Sequence, residues 1–130
     1  MKNLDCLNVL IVGVGGQGTL LASKFLGAAA ALCGKDVKVS EVHGMSQRGG
    51  SVITCVKIGD KIASPIIDEG EADVILAFEQ LEAIRWLPYL KKGGTVITNV
   101  SLRLHTTFGY NFVSEGCQIF KFKPPIVNAE

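Results

Sequence analysis

The sequence predicts an α/β fold, an open sheet flanked by helices, on three observations. An almost continuous apolar run, Leu7–Val12, leads through a glycine-rich bend into a helical pattern at Thr19–Cys33. A second apolar run, Asp73–Phe78, is followed by helical spacing over Glu79–Leu90, and a third at Thr95–Val100 closes that unit. Strands that alternate with helices pack as layers around one sheet through right-handed crossovers, so the order of elements is Rossmann-like. The 130 residues suit a single domain, 1–130, which on folding buries roughly two-thirds of its extended surface.

Leu7–Val12 is apolar without alternation, as expected of a strand covered on both faces. In the first helix Leu21, Phe25, Ala28 and Leu32 recur at spacings of three and four, and Gly34 supplies a C-terminal stop. Gly27, Ala28 and Ala31 are small enough to let that helix lie close to a sheet. A second strand is expected at Asp36–Val42, where Val37 and Val39 alternate with Lys38 and Ser40. His43–Ser51, with three glycines and no apolar period, reads as a loop.

Ser51–Ile58 and Lys61–Ile67 are β-rich runs joined by Gly59-Asp60, which predicts an inserted antiparallel β-hairpin with Pro65 at an edge. Leu81, Ile84, Leu87 and Leu90 carry the second helix, which Pro88 should shorten. Lys91-Lys92-Gly93-Gly94 resembles a helix C-terminus, with a solvated positive last turn and a glycine stop. Beyond Val100 the sequence offers short β-like pieces and no helix, so residues 101–130 read as a divergent, short ending.

Composition narrows the function classes. Hydrophobic residues make up 48% and charged residues 19%, which excludes a disordered chain. A net charge of +1 leaves no basic stripe for nucleic acid. Lys24 interrupts the longest apolar stretch, Ala22–Cys33, well short of the ~20 residues of a membrane span. Asp5 and Asn8 break any signal-peptide pattern. Cys6, Cys33, Cys55 and Cys117 form no CxxC, so no metal or cluster site is expected, and free thiols fit a reducing cytoplasm.

The chemistry concentrates in two loops. Gly13, Gly15 and Gly18 fit GxGxxG between a strand and a helix, with Gly16, Gln17 and Thr19 completing the turn. In such a turn the first glycine permits the bend, the second admits a pyrophosphate and the third lets helix and strand approach, while helix-start amides favour an anion. A nicotinamide or flavin site also needs an acid after the second strand, where Glu41 stands. The chain then continues as VHGMSQRGG, unlike a dinucleotide domain. An adenylating enzyme of the ubiquitin-activating type would need basic residues early in the following helix, where Lys24 is the only one, and a catalytic cysteine or zinc pairs. A turn that binds nothing also fits this pattern.

The second loop contains Ser46, Gln47, Arg48, Gly49 and Gly50, where Arg48 offers a fork of donors for phosphate or carboxylate. An intersubunit salt bridge is the alternative role for it. Glu79 ends a strand and is expected to cap the next helix. His43 reads as a hydrogen-bonded loop residue, and Trp86 and Tyr89 as core or interface.

GVGGQGT (Gly13–Thr19) and EVHGMSQRGGSV (Glu41–Val52) together closely resemble the gamma domain of 2-oxoacid:ferredoxin oxidoreductases. SPII (Ser64–Ile67), GEADVILAFE (Gly70–Glu79) and LKKGGTVITN (Leu90–Asn99) agree, so the resemblance covers about residues 8–99 and is strongest to the indolepyruvate branch. It implies a noncatalytic subunit that completes a larger enzyme. That enzyme decarboxylates a 2-oxoacid oxidatively to an acyl-CoA and reduces ferredoxin. Thiamine diphosphate, Mg and [4Fe–4S] clusters would then lie in a large partner subunit. The chain would contribute to coenzyme A binding through Gly13, Gly15, Gly16, Gln17, Gly18, Thr19, Ser46, Gln47, Arg48, Gly49 and Gly50. The alternatives are a free-standing NAD(P)- or nucleotide-binding domain and a subunit that binds no small ligand.

Overall fold

The computed structural model describes residues 6–43, 50–101 and 115–121. Its order is β1 (Cys6–Val14), α1 (Thr19–Leu32), β2 (Asp36–His43), β3 (Ser51–Gly59), β4 (Ala72–Ala77), α2 (Gln80–Arg85), β5 (Leu90–Ser101) and β6 (Glu115–Lys121). The strands form one sheet in the order β2-β3-β1-β4-β5-β6. β1, β4 and β5 are parallel, while β3 runs antiparallel to both β1 and β2, and β6 antiparallel to β5. The α/β class and the open sheet with flanking helices therefore stand, as a mixed sheet.

β1 explains the core. Its residues alternate between two apolar clusters because successive side chains leave opposite faces of a strand. Val9 and Ile11 meet Val56, Ala22, Leu26 and Val37 under α1. Leu10 and Val12 meet Ile75, Ala77, Ala83 and Val96 on the other face. The continuous apolar run is thus that of a strand buried on both sides, as read.

Four sequence expectations are corrected. The antiparallel hairpin is not 51–67: β3 pairs with β2 and β1, and residues 61–67 form no strand. Their backbone is drawn elsewhere, since the Ile62 amide donates to Asp36 Oδ2 at 2.9 Å. Pro65 accordingly lies in an irregular segment rather than in an edge strand.

Second, the apolar stripe of α1 faces outward. Phe25 is 68% and Leu32 90% exposed, and Leu21 and Ala28 are exposed with them. The sheet side is built from Thr19, Ser23 and Ala30 with the half-buried Ala22 and Leu26, and Gly27 lies over Val37. Small side chains allow the close approach, but Ala28 and Ala31 are not the ones used. Third, Leu81 and Ile84 of α2 are also exposed, and Glu82 and Ala83 are the buried pair.

Fourth, Lys91–Gly94 is not a helix end. These residues belong to β5, where the pairing jumps from Ala72–Leu90 to Val74–Thr95 and Gly93 takes a φ of 78°. Lys91 is not merely solvated either, because its Nζ pairs with Asp73, whose other oxygen accepts the Asn8 amide. Pro88 does shorten the helix: α2 stops at Arg85 and Leu87–Tyr89 is a 3-10 turn.

Gly34 ends α1 as expected, by a Schellman motif. It has a φ of 73°, its amide donates to Ala31 and the Lys35 amide donates to Ala30. Among the described residues no helix is long and apolar enough to cross a membrane.

The Ile62 amide and, more weakly, Lys38 hold the Asp36 carboxyl below the usual carboxylate range. A group held low in the folded state stabilises fully above its unfolded pKa, and that stability is lost as pH falls through the folded value. Asp36→Asn should therefore reduce the loss of thermal midpoint between about pH 6 and about pH 3. An unchanged acid slope would show that the contact does not persist in solution.

Candidate functional site

One edge of the sheet gathers the chain's unusual loops. The C-terminal ends of β1 and β4, the end of β2 and the start of β3 all open there, because β3 is antiparallel to its neighbours. The glycine turn 14–18 lies between Gly50-Ser51 on one side and Phe78-Glu79 on the other. The Gly15 amide donates to the Gly50 carbonyl at 3.0 Å, and the Phe78 amide to the Val12 carbonyl at 2.9 Å.

The glycines divide the work differently from the expected pattern. A Cβ on Gly13 would meet Gln17 Oε1 at 2.8 Å, Thr19 Cγ2 at 3.0 Å and Phe78 Cβ at 3.2 Å, so the close approach is at the first glycine. Gly16 and Gly18 have φ of 87° and 88° in open space, so backbone conformation selects them. Gly18 is the N-cap of α1, in the left-handed region, and not the point of helix–strand contact.

Gln17 is exposed, and its Oε1 accepts the Val14 amide at 2.9 Å, which closes the turn on itself. Thr19 is buried against Gly13, so its side chain packs inward. Among the described residues α1 begins with no side-chain cap and no acid in its first turn. The helix start is therefore the anion-favouring part of the turn.

These bonds bear on the dinucleotide alternative. In that use the second glycine brings its backbone to a pyrophosphate. Here the Gly15 amide is engaged by Gly50, and the Val14 amide by Gln17. Glu41 lies two residues before the end of β2, paired with Thr54 and half-buried.

Gly50 stands at the edge of this arrangement. Ser46, Gln47, Arg48 and Gly49 lie outside the described residues, as does the side chain of His43. Glu79 caps α2 as expected, its Oε2 accepting the Glu82 amide at 2.9 Å. Trp86 and Tyr89 pack edge-to-face with centroids 5.0 Å apart, against the Leu10 and Val12 cluster.

Sequence reasoning missed Glu82. It lies in the first turn of α2 at 5% exposure and accepts from Ser51 Oγ at 2.7 Å and Trp86 Nε1 at 3.2 Å. The signal available was slight: an acid three residues after a capping acid, beside the aliphatic positions of a short helix. Of the described thiols, Cys33 is exposed and Cys55 half-buried, and burial pushes the Cys55 thiol up. No three His, Cys, Asp or Glu among the described residues gather as a metal ion requires.

The sequence profile of a family described as pyruvate ferredoxin/flavodoxin oxidoreductase matches residues 8–128, running past Asn99. Indolepyruvate oxidoreductase subunit IorB of Pyrococcus horikoshii is 58% identical over 92 residues, 71% of this chain and 46% of that protein. The common gamma subunit of pyruvate/ketoisovalerate oxidoreductases of Thermococcus litoralis is 35% identical over 89 residues, 67% of this chain and 48% of that one. The crystal structure of a keto/oxoacid ferredoxin oxidoreductase gamma subunit from Geobacter sulfurreducens superposes with a TM-score of 0.57 at 30% identity. It covers 72% of this chain and 50% of that chain. The chain spans about half the length of the curated relatives it matches.

Two glycine substitutions should move stability in opposite directions. Gly18→Ala forces a left-handed residue and is expected to cost about 1–2 kcal/mol. Gly27→Ala, inside α1 and 3.9 Å from Val37 Cγ1, should gain about 0.5–1 kcal/mol. Urea midpoints read both, and equal signs would contradict the turn geometry.

Proposed function

Since the chain belongs to the pyruvate ferredoxin/flavodoxin oxidoreductase family, we propose that it is a gamma-type, noncatalytic part of a 2-oxoacid:ferredoxin oxidoreductase complex. Such a complex decarboxylates a 2-oxoacid to an acyl-CoA and passes electrons to ferredoxin. The observation that carries the reading is the 58% identity to an indolepyruvate oxidoreductase subunit, against 35% to a pyruvate/ketoisovalerate gamma subunit. That difference favours indolepyruvate or another arylpyruvate as the oxoacid.

The described donor sets do not suit a metal or cluster. On this reading thiamine diphosphate, its magnesium and the [4Fe–4S] clusters belong to a large partner subunit. Exposed Leu21, Phe25 and Leu32 on α1, with Leu81 and Ile84 on α2, support burial of these helix faces in an assembly. The thiols suit a reducing cytoplasm.

Coenzyme A is the ligand proposed for the sheet edge. Its phosphates suit the uncapped start of α1, where Gly16, Gly18 and the Thr19 amide stand, and its charge suits the Arg48 fork. Ser46, Gln47, Gly49 and Gly50 are proposed beside Arg48 from the sequence motif they share, and Gly13, Gly15 and Gln17 shape the glycine turn.

Anaerobic affinity purification of the tagged chain from its own cells, with mass spectrometry, tests the assembly. Recovery of a thiamine- and cluster-bearing subunit in fixed ratio is expected, and recovery of the chain alone with a bound nucleotide would overturn the reading. In the complex, Arg48→Ala should raise the apparent KM for coenzyme A about tenfold or more, since a charge-assisted hydrogen bond is lost. An unchanged KM would remove Arg48 from the ligand site.

A further inference from the structure

Glu82 is a carboxylate where carboxylates are rarely found, in the first turn of a six-residue helix and nearly excluded from water. Burying a charge is costly unless it is paired and hydrogen-bonded. Three donors meet that need: Ser51 Oγ at 2.7 Å, Trp86 Nε1 at 3.2 Å and the Arg85 guanidinium at 3.4 Å. Arg85 and Trp86 lie one helical turn after Glu82, three and four residues on. Ser51 does not, and it is 31 residues away in sequence.

Ser51 is the first residue of β3 and pairs with Val14, the last residue of β1. Its neighbour Gly50 supplies the carbonyl that receives the Gly15 amide. The carboxylate thus reaches the glycine turn through two short links, Glu82 to Ser51 and Gly50 to Gly15. The backbone amide of Glu82 is itself fixed by Glu79, so the anchor is held at both ends.

We propose that Glu82 is a positioning residue: through Ser51 it fixes the junction of β3 with the glycine turn, and so sets the turn for its ligand. The inference rests on the coenzyme A reading of that edge. The partners of Glu82 among the described residues are Ser51, Glu79, Arg85 and Trp86, so its hydrogen-bonded link to the turn runs through Ser51 and Gly50. A glutamine keeps its volume and one acceptor oxygen for Ser51, whereas an alanine removes the link.

The test uses the anaerobically purified complex with Glu82→Ala, Glu82→Gln, Ser51→Ala and Arg48→Ala. Coenzyme A kinetics are measured alongside hydrogen–deuterium exchange of peptides covering 13–19 and 24–32. Glu82→Ala is expected to raise the apparent KM for coenzyme A about tenfold with kcat changed less than about twofold. Glu82→Gln should recover most of that loss, and Ser51→Ala should move KM in the same direction. Exchange should quicken at 13–19 and stay level at 24–32.

Faster exchange in both peptides alike would overturn the proposal, because Glu82 would then be a general stabiliser. So would an Arg48→Ala effect on KM that Glu82→Ala fails to share. If neither substitution moves the KM, the coenzyme A reading falls, and the proposal with it.

Discussion

The central strand constrains everything around it. β1 is hydrogen-bonded on both edges, antiparallel to β3 and parallel to β4, and buried on both faces. Every backbone group inside it must therefore be paired, and the chain can turn only where both ladders end together. The β4 ladder ends with the Phe78 amide on the Val12 carbonyl, and the β3 ladder with Ser51 opposite Val14. The turn at 14–18 is placed by that double ending. Gly13 satisfies the space between Phe78, Thr19 and Gln17, and Gly16 and Gly18 supply the positive φ that returns the chain as α1.

Local signals were legible wherever backbone chemistry alone decided the outcome. The glycine pattern, the start of α1 at Thr19, the stop at Gly34, the cap at Glu79 and the shortening at Pro88 all follow from conformations that few residues can adopt. What could not be read was direction. α1 is apolar on both faces, and the larger side chains suggested the buried side. Packing over a sheet selected Ser23, Gly27 and Ala30 instead, with Ala22 and Leu26 against Val9 and Ile11, and left Leu21 and Phe25 facing outward.

Non-local competition accounts for the other differences. Lys61–Ile67 has strand composition, but β3 already has β2 and β1 as partners, so the run had no free edge on which to pair. Lys91–Gly94 has the chemistry of a helix end, yet the parallel pairing with β4 resumes at Thr95 and absorbs these residues as an irregularity within β5. Glu82 gave almost no sequence signal because its meaning depends on Ser51, which only the sheet brings near. A site assembled from a strand start, a turn and a helix start is legible in its glycines and hidden in its supports.

The antiparallel β3 also decides what the glycine turn is good for. In a doubly wound parallel sheet the crevice beside the first strand opens at a switch point, and the second glycine faces that opening. Here the neighbouring strand begins at the edge where β1 ends, so its entering backbone occupies the space beside the turn and takes the Gly15 amide. Val14 is likewise satisfied by Gln17. The anion-binding capacity that survives lies at the first turn of α1 and points along the helix axis. On the proposed coenzyme A reading, a phosphate would therefore be met by the start of α1 rather than by the second glycine.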